Sequence, residues 1–427
     1  MTSGRTDIEF AWFGRLGRNA SPLESHERSN MTHSLGLVKV PDSVVRDVIE
    51  LRRDFHAHPE LGFEEVRTAG IVADRLRRLG YEVRTNIAET GVLGILRTGK
   101  AGRCVLLRAD MDALPVEEQG GLPFSSTIAG KMHACGHDAH VAILLGAAGM
   151  IMERREALCG TIVLCFQPAE EGKGGAAAMV AAGVLDDPHV DVVYGLHVWS
   201  QAPTGVVSTR PGPMMAASDS IEITVKGRGG HGAQPDHTID PITTAAQFVS
   251  TVQTVVSRKL DPLEPTVVTI GAIHGGTVHN VIPDDVRLLG TVRTFNEDLR
   301  DVMAAKIEQV LSGCCASAQA SYDYTYLRRY PVTSNDPEQA EYVVDLATRT
   351  LGAGNVGEQP KIMGAEDFSF MLQRRPGCYF FLGAQLDSGV DRPHHSPRFA
   401  IDERAFANGV RMMVALASEA TSGARAG

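Results

Sequence analysis

The run Thr161-Ile162-Val163-Leu164-Cys165-Phe166-Gln167-Pro168-Ala169-Glu170-Glu171-Gly172 joins two kinds of sequence that rarely meet. Thr161–Phe166 is short and almost continuously apolar, the pattern of a strand buried on both faces. Past Pro168 the chain turns at once to two adjacent carboxylates and a glycine. Adjacent acids directly after a buried strand are hard to explain by packing. In open α/β sheets, functional side chains gather beyond the carboxyl ends of the strands. One carboxylate can bind a metal ion while its neighbour, pointing the other way, takes a proton from water. Taken alone, the same stretch also reads as a solvated acidic loop.

The texture repeats on both sides of this run. Short apolar runs at Val92–Leu96, Cys104–Leu107 and Val190–Leu196 are separated by small-residue helical stretches at His140–Met152 and Gly174–Ala182. Upstream, Val44, Val45, Val48, Leu51 and Phe55 recur at helical spacing from Asp42. A second helix is expected over about Glu64–Leu79, stopped by Gly80. Strands alternating with helices predict an α/β fold: a mixed, mostly parallel sheet flanked by helices on both faces.

From Ser218 the pattern changes. Ile221–Val225 alternates as a half-exposed strand, and Asp240–Arg258 reads as a helix. Thr266–Ile273 and Val281–Val292 read as strands, Asn296–Cys314 as a helix, and Ala318–Tyr326 as a last strand. This β-α-β-β-α-β order fits a small inserted satellite domain. The expected organisation is a flexible extension over residues 1–40, with Met31 a possible second start. A metal-binding catalytic domain follows over 41–217 and 330–427, interrupted by a lid or dimerisation domain over 218–329.

Composition narrows the function. The 427 residues carry 41 Lys+Arg against 51 Asp+Glu, a net charge of −10 with no basic run, which does not suit a nucleic-acid partner. No stretch approaches the roughly 18–20 apolar residues of a membrane span. The N-terminal patch Phe10-Ala11-Trp12-Phe13 is too short for a secretory core of about 7–15 residues. Cys104, Cys135, Cys159, Cys165, Cys314, Cys315 and Cys378 are odd in number and show no disulfide-framework spacing. A cytoplasmic protein is expected.

Three further places suit the chemistry of the acidic turn. In His133-Ala134-Cys135-Gly136-His137-Asp138-Ala139-His140, a Cys and a His two apart, hinged by Gly, can face one ion. Gly195-Leu196-His197-Val198-Trp199 ends an apolar strand in a histidine, and Arg392-Pro393-His394-His395-Ser396-Pro397 pins a His pair between prolines. Each alone has an ordinary structural reading; together they make a cluster that two metals could share.

These motifs, with Arg108-Ala109-Asp110-Met111-Asp112-Ala113-Leu114-Pro115, Gly230-His231-Gly232-Ala233, His279-Asn280-Val281-Ile282-Pro283 and Gly364-Ala365-Glu366-Asp367-Phe368, occur in an order that resembles one amidohydrolase subfamily. It contains hippurate hydrolases, bacterial aminoacylases and auxin–amino-acid hydrolases, relatives of the dimetal carboxypeptidases. The resemblance spans roughly residues 43–420. It implies a zinc-exopeptidase-like fold holding two divalent ions (Zn, Mn, Co or Ni), and a small N-acyl amino acid as substrate. Cys135 would bridge the ions, His137 and His197 would complete one site, and Glu171 and His395 the other. Glu170 would be the general base, and Asp112 the carboxylate behind a metal-bound histidine that orients it. His394 stays unassigned. His231 would bind the oxyanion, often from the neighbouring subunit of a homodimer, and Asn280 and Arg293 are candidates for the substrate carboxylate. The chain departs from the wider carboxypeptidase clan: Asp110 stands where a ligating His would be, and Cys135 where a bridging Asp would be.

Formal charge agrees with this assignment. Two divalent ions bring four positive charges against the two negative ones of a Cys135 thiolate and a Glu171 carboxylate, which suits an anionic substrate. A thiol hydrolase with Cys135 as nucleophile and His137 as base leaves Glu171, His197 and His395 without roles. A catalytically silent metal-binding protein leaves Glu170 without one. Dipeptidase or carbamoyl-amidase activity on the same scaffold is the nearest alternative.

Overall fold

Eight strands form the central sheet, in the order Glu82–Ile87, Gly91–Arg97, Thr161–Gln167, Cys104–Asp110, Val192–Trp199, Gly377–Gly383, Val207–Thr209 and Val356–Glu358. The computed structural model describes residues 38–387 and 392–422, so the expected extension over 1–40 lies outside it except for its last three residues. The four contiguous strands from Thr161–Gln167 to Gly377–Gly383 run parallel, and antiparallel pairs flank them. This is the mixed, mostly parallel sheet that the sequence predicts.

Strand periodicity divides the side chains between two cores. Val105, Leu107, Ile162, Leu164, Phe166, Tyr194 and Leu196 face one, and Leu106, Val163, Cys165 and Val193 the other. The first core lies under the helices Asp42–Ala57, His137–Glu153 and Phe406–Glu419, the second under Gly175–Ala181 and Ser369–Leu372. A sheet covered on both faces needs apolar residues in both phases, which is why these strands read as continuous runs. The helix His137–Glu153 packs closely because Gly146 leaves no room for a side chain; a Cβ there would lie 2.4 Å from Val48 Cγ2. The start of this helix is thereby fixed against the scaffold.

Two details differ from expectation. Glu82–Ile87 is an edge strand that escapes notice because it is mostly polar and pairs antiparallel with Gly91–Arg97. The run Val281–Val292 breaks at Pro283, which has no N–H for a ladder. Val281–Ile282 pairs instead with Gly230–His231, and Asp285–Thr294 forms a separate strand.

A second sheet is antiparallel throughout, in the order Thr266–His274, Asp285–Thr294, Ala217–Lys226, Ser321–Tyr330. The helices Pro241–Lys259 and Asp298–Ala318 cover one face through Phe248, Val252, Ile307 and Leu311 against Ile221, Ile223, Val225 and Leu288. Buried Asp219 ties strand to helix, accepting from both Arg300 Nε (3.0 Å) and Nη2 (2.6 Å) and from Tyr326 Oη (2.7 Å). Among the described residues no helix is long and apolar enough to cross a membrane.

Candidate metal centre

The parallel strands deliver their polar residues to one end. Asp110 closes Cys104–Asp110, with Asp112 just beyond it; Glu170 and Glu171 follow Thr161–Gln167, and His197 lies near the end of Val192–Trp199. His137 starts its helix, and Cys135 precedes it across Gly136. Gly136 has φ 97°, and a Cβ on it would meet Val198 Cγ2 at 2.4 Å. Only glycine meets both demands, so the hinge between Cys135 and His137 is set by sterics. His395 is also left-handed, at φ 65°, and its N–H donates to Ala134 O at 2.8 Å, which ties the Pro393–Pro397 loop to the cysteine loop.

The five expected ligands come together around Cys135. Its Sγ lies 3.5 Å from His197 Nε2. The ligand atoms of Cys135, His137 and Glu171 all lie within 4.8 Å of one another, and His395 Nε2 is 3.2 Å from Glu171 Oε1. Cys135, His137 and His197 are buried, while His395 stands at the mouth.

Hydrogen bonds sort the histidines. A carbonyl oxygen can only accept, so Nδ1 of His137 donates to Asp112 O (2.8 Å) and Nδ1 of His197 to Val198 O (2.6 Å). Each therefore presents its Nε2 lone pair to the cluster, and His137 Nε2 has no hydrogen-bond partner among the described residues. His140 and His394 are arranged oppositely. His140 Nε2 accepts from Val198 N–H (2.8 Å) and its Nδ1 donates to Asp110 Oδ1 (2.5 Å). His394 Nε2 accepts from Ser200 N–H (3.1 Å), its Nδ1 donates to Cys135 O (3.1 Å), and its ring stacks on Trp199. Both ring nitrogens of these two are used by the protein, although a ligand atom of His394 also lies within 4.8 Å of those of Cys135 and His197.

The electrostatics favour added positive charge here. Burial disfavours charging His137, yet Asp110 and the Cys135 sulfur hold its pKa well above the usual value. Hydrogen bonds to Cys135 and Glu171 raise His395 to about 10. Burial raises the Cys135 thiol, with Glu171 adding to it. Once a metal displaced their protons, Cys135, Glu171 and the Nε2 atoms of His137 and His197 would make a donor set suited to a borderline divalent ion such as zinc. The residues fit the metals that the resemblance implies.

The adjacent carboxylates divide. Glu171 Oε1 is buried and faces His395 Nε2 at 3.2 Å. Glu170 lies deeper; burial, then Glu366 and Glu171, push its pKa well above the carboxylate range, the direction that suits a proton acceptor working near neutrality. Asp112 touches both sides of the centre. It lies beside His137 Nδ1 (3.3 Å) and accepts the backbone N–H groups of Glu170 (3.0 Å) and Glu171 (2.9 Å).

Behind the site is a buried network to which the motif pattern gives no role. Arg108, wholly buried, donates to Asp110 (2.6 Å), Glu366 (2.8 Å), Asp367 (3.1 Å) and Gln167 (2.8 Å). The available signal was Arg108 and Asp110 standing inside an otherwise apolar strand.

The substrate candidates lie elsewhere. His231 pairs with Val281 in the short ladder, Gly232 N–H donates to Asn280 O (2.8 Å), and both residues are exposed. Arg293 stands between Val267 and Ser218 in the second sheet, half-buried and without a hydrogen-bond partner among the described residues. Within this chain, none of the three makes a hydrogen bond or ion pair with the ligand cluster.

Comparison with known proteins gives a consistent picture. The sequence profile of peptidase family M20/M25/M40 matches residues 106–419. Thermostable carboxypeptidase 2 of Saccharolobus solfataricus is 43% identical over 361 residues, covering 83% of this chain and 91% of the relative. IAA-amino acid hydrolase ILR1-like 4 of Arabidopsis thaliana is 42% identical, covering 87% and 85%. The crystal structure of the Bacillus subtilis YxeP protein, described as a dinuclear metal-binding peptidase, superposes with a TM-score of 0.77. It is 34% identical and covers 88% of this chain and 98% of that one.

Metal analysis checks the sorting of the histidines. The purified chain should carry up to two divalent ions. His197→Ala should lower that content, while His394→Ala should not. Equal loss in both variants would remove the basis for choosing between them.

Proposed function

This chain belongs to peptidase family M20/M25/M40, and we propose that it hydrolyses the amide bond of N-acyl amino acids at a two-metal centre held by Cys135, His137, Glu171, His197 and His395. A hydrolytic, metal-dependent enzyme acting on small amides follows from the family and from relatives such as the IAA-amino acid hydrolase. The observation that carries the ligand assignment is the orientation of His137 and His197, whose Nδ1 atoms are anchored on carbonyl oxygens, with His197 Nε2 facing Cys135 and His137 grouped with Cys135 and Glu171. Zn, Mn, Co and Ni all suit the thiolate, carboxylate and imidazole donors.

Bound divalent ions would supply Lewis acidity, lowering the pKa of water and polarising the amide carbonyl. The chain does the rest. Glu170, buried and with a raised pKa, takes the proton from the attacking water and returns it to the leaving nitrogen. Asp112 holds the backbone of both carboxylates and keeps His137 turned to the cluster. Products are a carboxylic acid and an amino acid. The relative named a carboxypeptidase supports a second reading, in which the acyl group is itself an amino acid and the substrate a short peptide.

Residues 218–329 are proposed as a lid and dimerisation domain. Ile242, Ile273, Val278 and Val281 are exposed apolar side chains of this domain, Val281 opposite His231 in the short ladder, which suits burial against a second copy. In a two-fold dimer, His231 would stabilise the oxyanion in the partner's site, while Asn280 and half-buried Arg293 would hold the substrate carboxylate. Seven unpaired cysteines, most of them buried, go with a cytoplasmic setting.

Glu170→Gln should keep its metals and lose about 10²–10⁴-fold in kcat on the preferred member of an N-acyl amino acid panel. Glu171→Gln should lose metal. If both variants kept their metals and slowed equally, the division between base and ligand would fail.

His231→Ala should lower kcat roughly 10²–10³-fold with metal content unchanged. Mixed with Glu170→Gln subunits, it should recover part of the activity, since one site per mixed dimer would hold both residues. Mixed dimers that form and stay inactive would rule out action across the interface.

A further inference from the structure

The acidic turn is held by other parts of the chain. Its three consecutive amides donate to carboxylate oxygens on two distant segments: Ala169 N to Glu65 Oε1 (2.9 Å), Glu170 N to Asp112 Oδ1 (3.0 Å) and Glu171 N to Asp112 Oδ2 (2.9 Å). Glu65 is fully buried at the start of the second helix, and its other oxygen accepts the Thr90 hydroxyl at 2.5 Å. A buried carboxylate with both oxygens committed is not placed there by chance packing.

The turn needs this hold. Ala169 sits at φ 55°, ψ 44°, the left-handed region that a residue with a Cβ avoids. Such a conformation persists only where its surroundings over-determine it. Gly62 lies against Ala169 so closely that a Cβ on it would be 2.9 Å from Ala169 Cα, and Ala169 O accepts Gly175 N–H (3.0 Å). Ala169 is the residue whose dihedrals set where the next two side chains point. Without Glu65, its N–H would be buried and unpaired, and the turn could relax toward an ordinary helical start.

We infer that Glu65 is a positioning residue: by holding Ala169 N–H it fixes the left-handed turn that aims Glu170 and Glu171 in their separate directions. The inference rests on the proposed roles of those two carboxylates. It assigns Glu65 no contact with substrate or metal. The hydrogen bond, not the charge, is what matters. A glutamine can accept from Ala169 N–H through its carbonyl and donate to Thr90 Oγ1 through its amide.

The test compares Glu65→Ala, Glu65→Gln and Gly62→Ala with the wild type, using zinc affinity by chelator competition and kcat and KM on an N-acyl amino acid. Glu65→Ala should weaken binding of one zinc ion about 10-fold and lower kcat roughly 10–100-fold, with KM within about twofold. Glu65→Gln should restore both within a few-fold. Gly62→Ala presses on the same turn with Glu65 intact and should reproduce the kcat loss, which keeps the test decisive if Glu65→Ala fails to fold. Wild-type affinity and kcat in Glu65→Ala, or equal damage in Glu65→Gln, would overturn the inference. In the event that Glu65→Ala does not fold, an unimpaired Gly62→Ala would do so. A wild type inactive on amides would sink the proposed reaction instead, and the zinc comparison would still decide the role of Glu65.

Discussion

Too many acids are gathered at one end of this sheet for the protein alone to neutralise. Glu170, Glu366 and Asp367 have ligand atoms within 4.8 Å of one another, Cys135 and Glu171 are close by, and Arg108 is the guanidinium buried among the acids. Like charges removed from water raise one another's pKa values or attract a counter-charge. Both responses are visible. Glu170 and Asp367 are pushed well above the usual carboxylate range, while positive charge is favoured at His137 and His395. The divalent ions that the family implies would answer that demand at the proposed ligands Cys135, His137, Glu171, His197 and His395.

The fold makes this crowding tolerable. Parallel strands buried on both faces bring their carboxyl ends to one rim, and helix His137–Glu153 is locked against the helix Asp42–Ala57 where Gly146 meets Val48. The proposed ligands thus sit on rigid elements or on turns fixed by sterics, as at Gly136, and their orienting bonds run to backbone carbonyls. A centre built this way loses little ordering entropy when an ion or substrate arrives.

Much of this was legible in the sequence because apolar runs and punctuating glycines report burial and turns directly. The buried strands, the helix stopped at Gly80 and the motifs bearing Cys135, Glu170 and His197 belong to that class. The edge strand Glu82–Ile87 was not legible, since an edge exposed to water needs no apolar alternation. Residue type alone does not separate His137 from His140, or His395 from His394; it is the family resemblance that picks out His137 and His395. In the structure the hydrogen bonds on the ring nitrogens set His140 and His394 apart from His137. Glu65 is hidden for a similar reason: its target is a backbone amide about a hundred positions away, and amides leave no mark in a sequence.

In the proposed two-metal centre the Cys135 thiolate would lie between the two ions. X-ray absorption at the metal edge of the zinc-loaded protein addresses it most directly. One sulfur scatterer at about 2.3 Å is expected in a shell otherwise of nitrogen and oxygen, with a metal–metal vector near 3.5–4 Å. Both features should vanish in Cys135→Ala. A sulfur-free shell in the wild type, or a single isolated zinc with no metal neighbour, would contradict it.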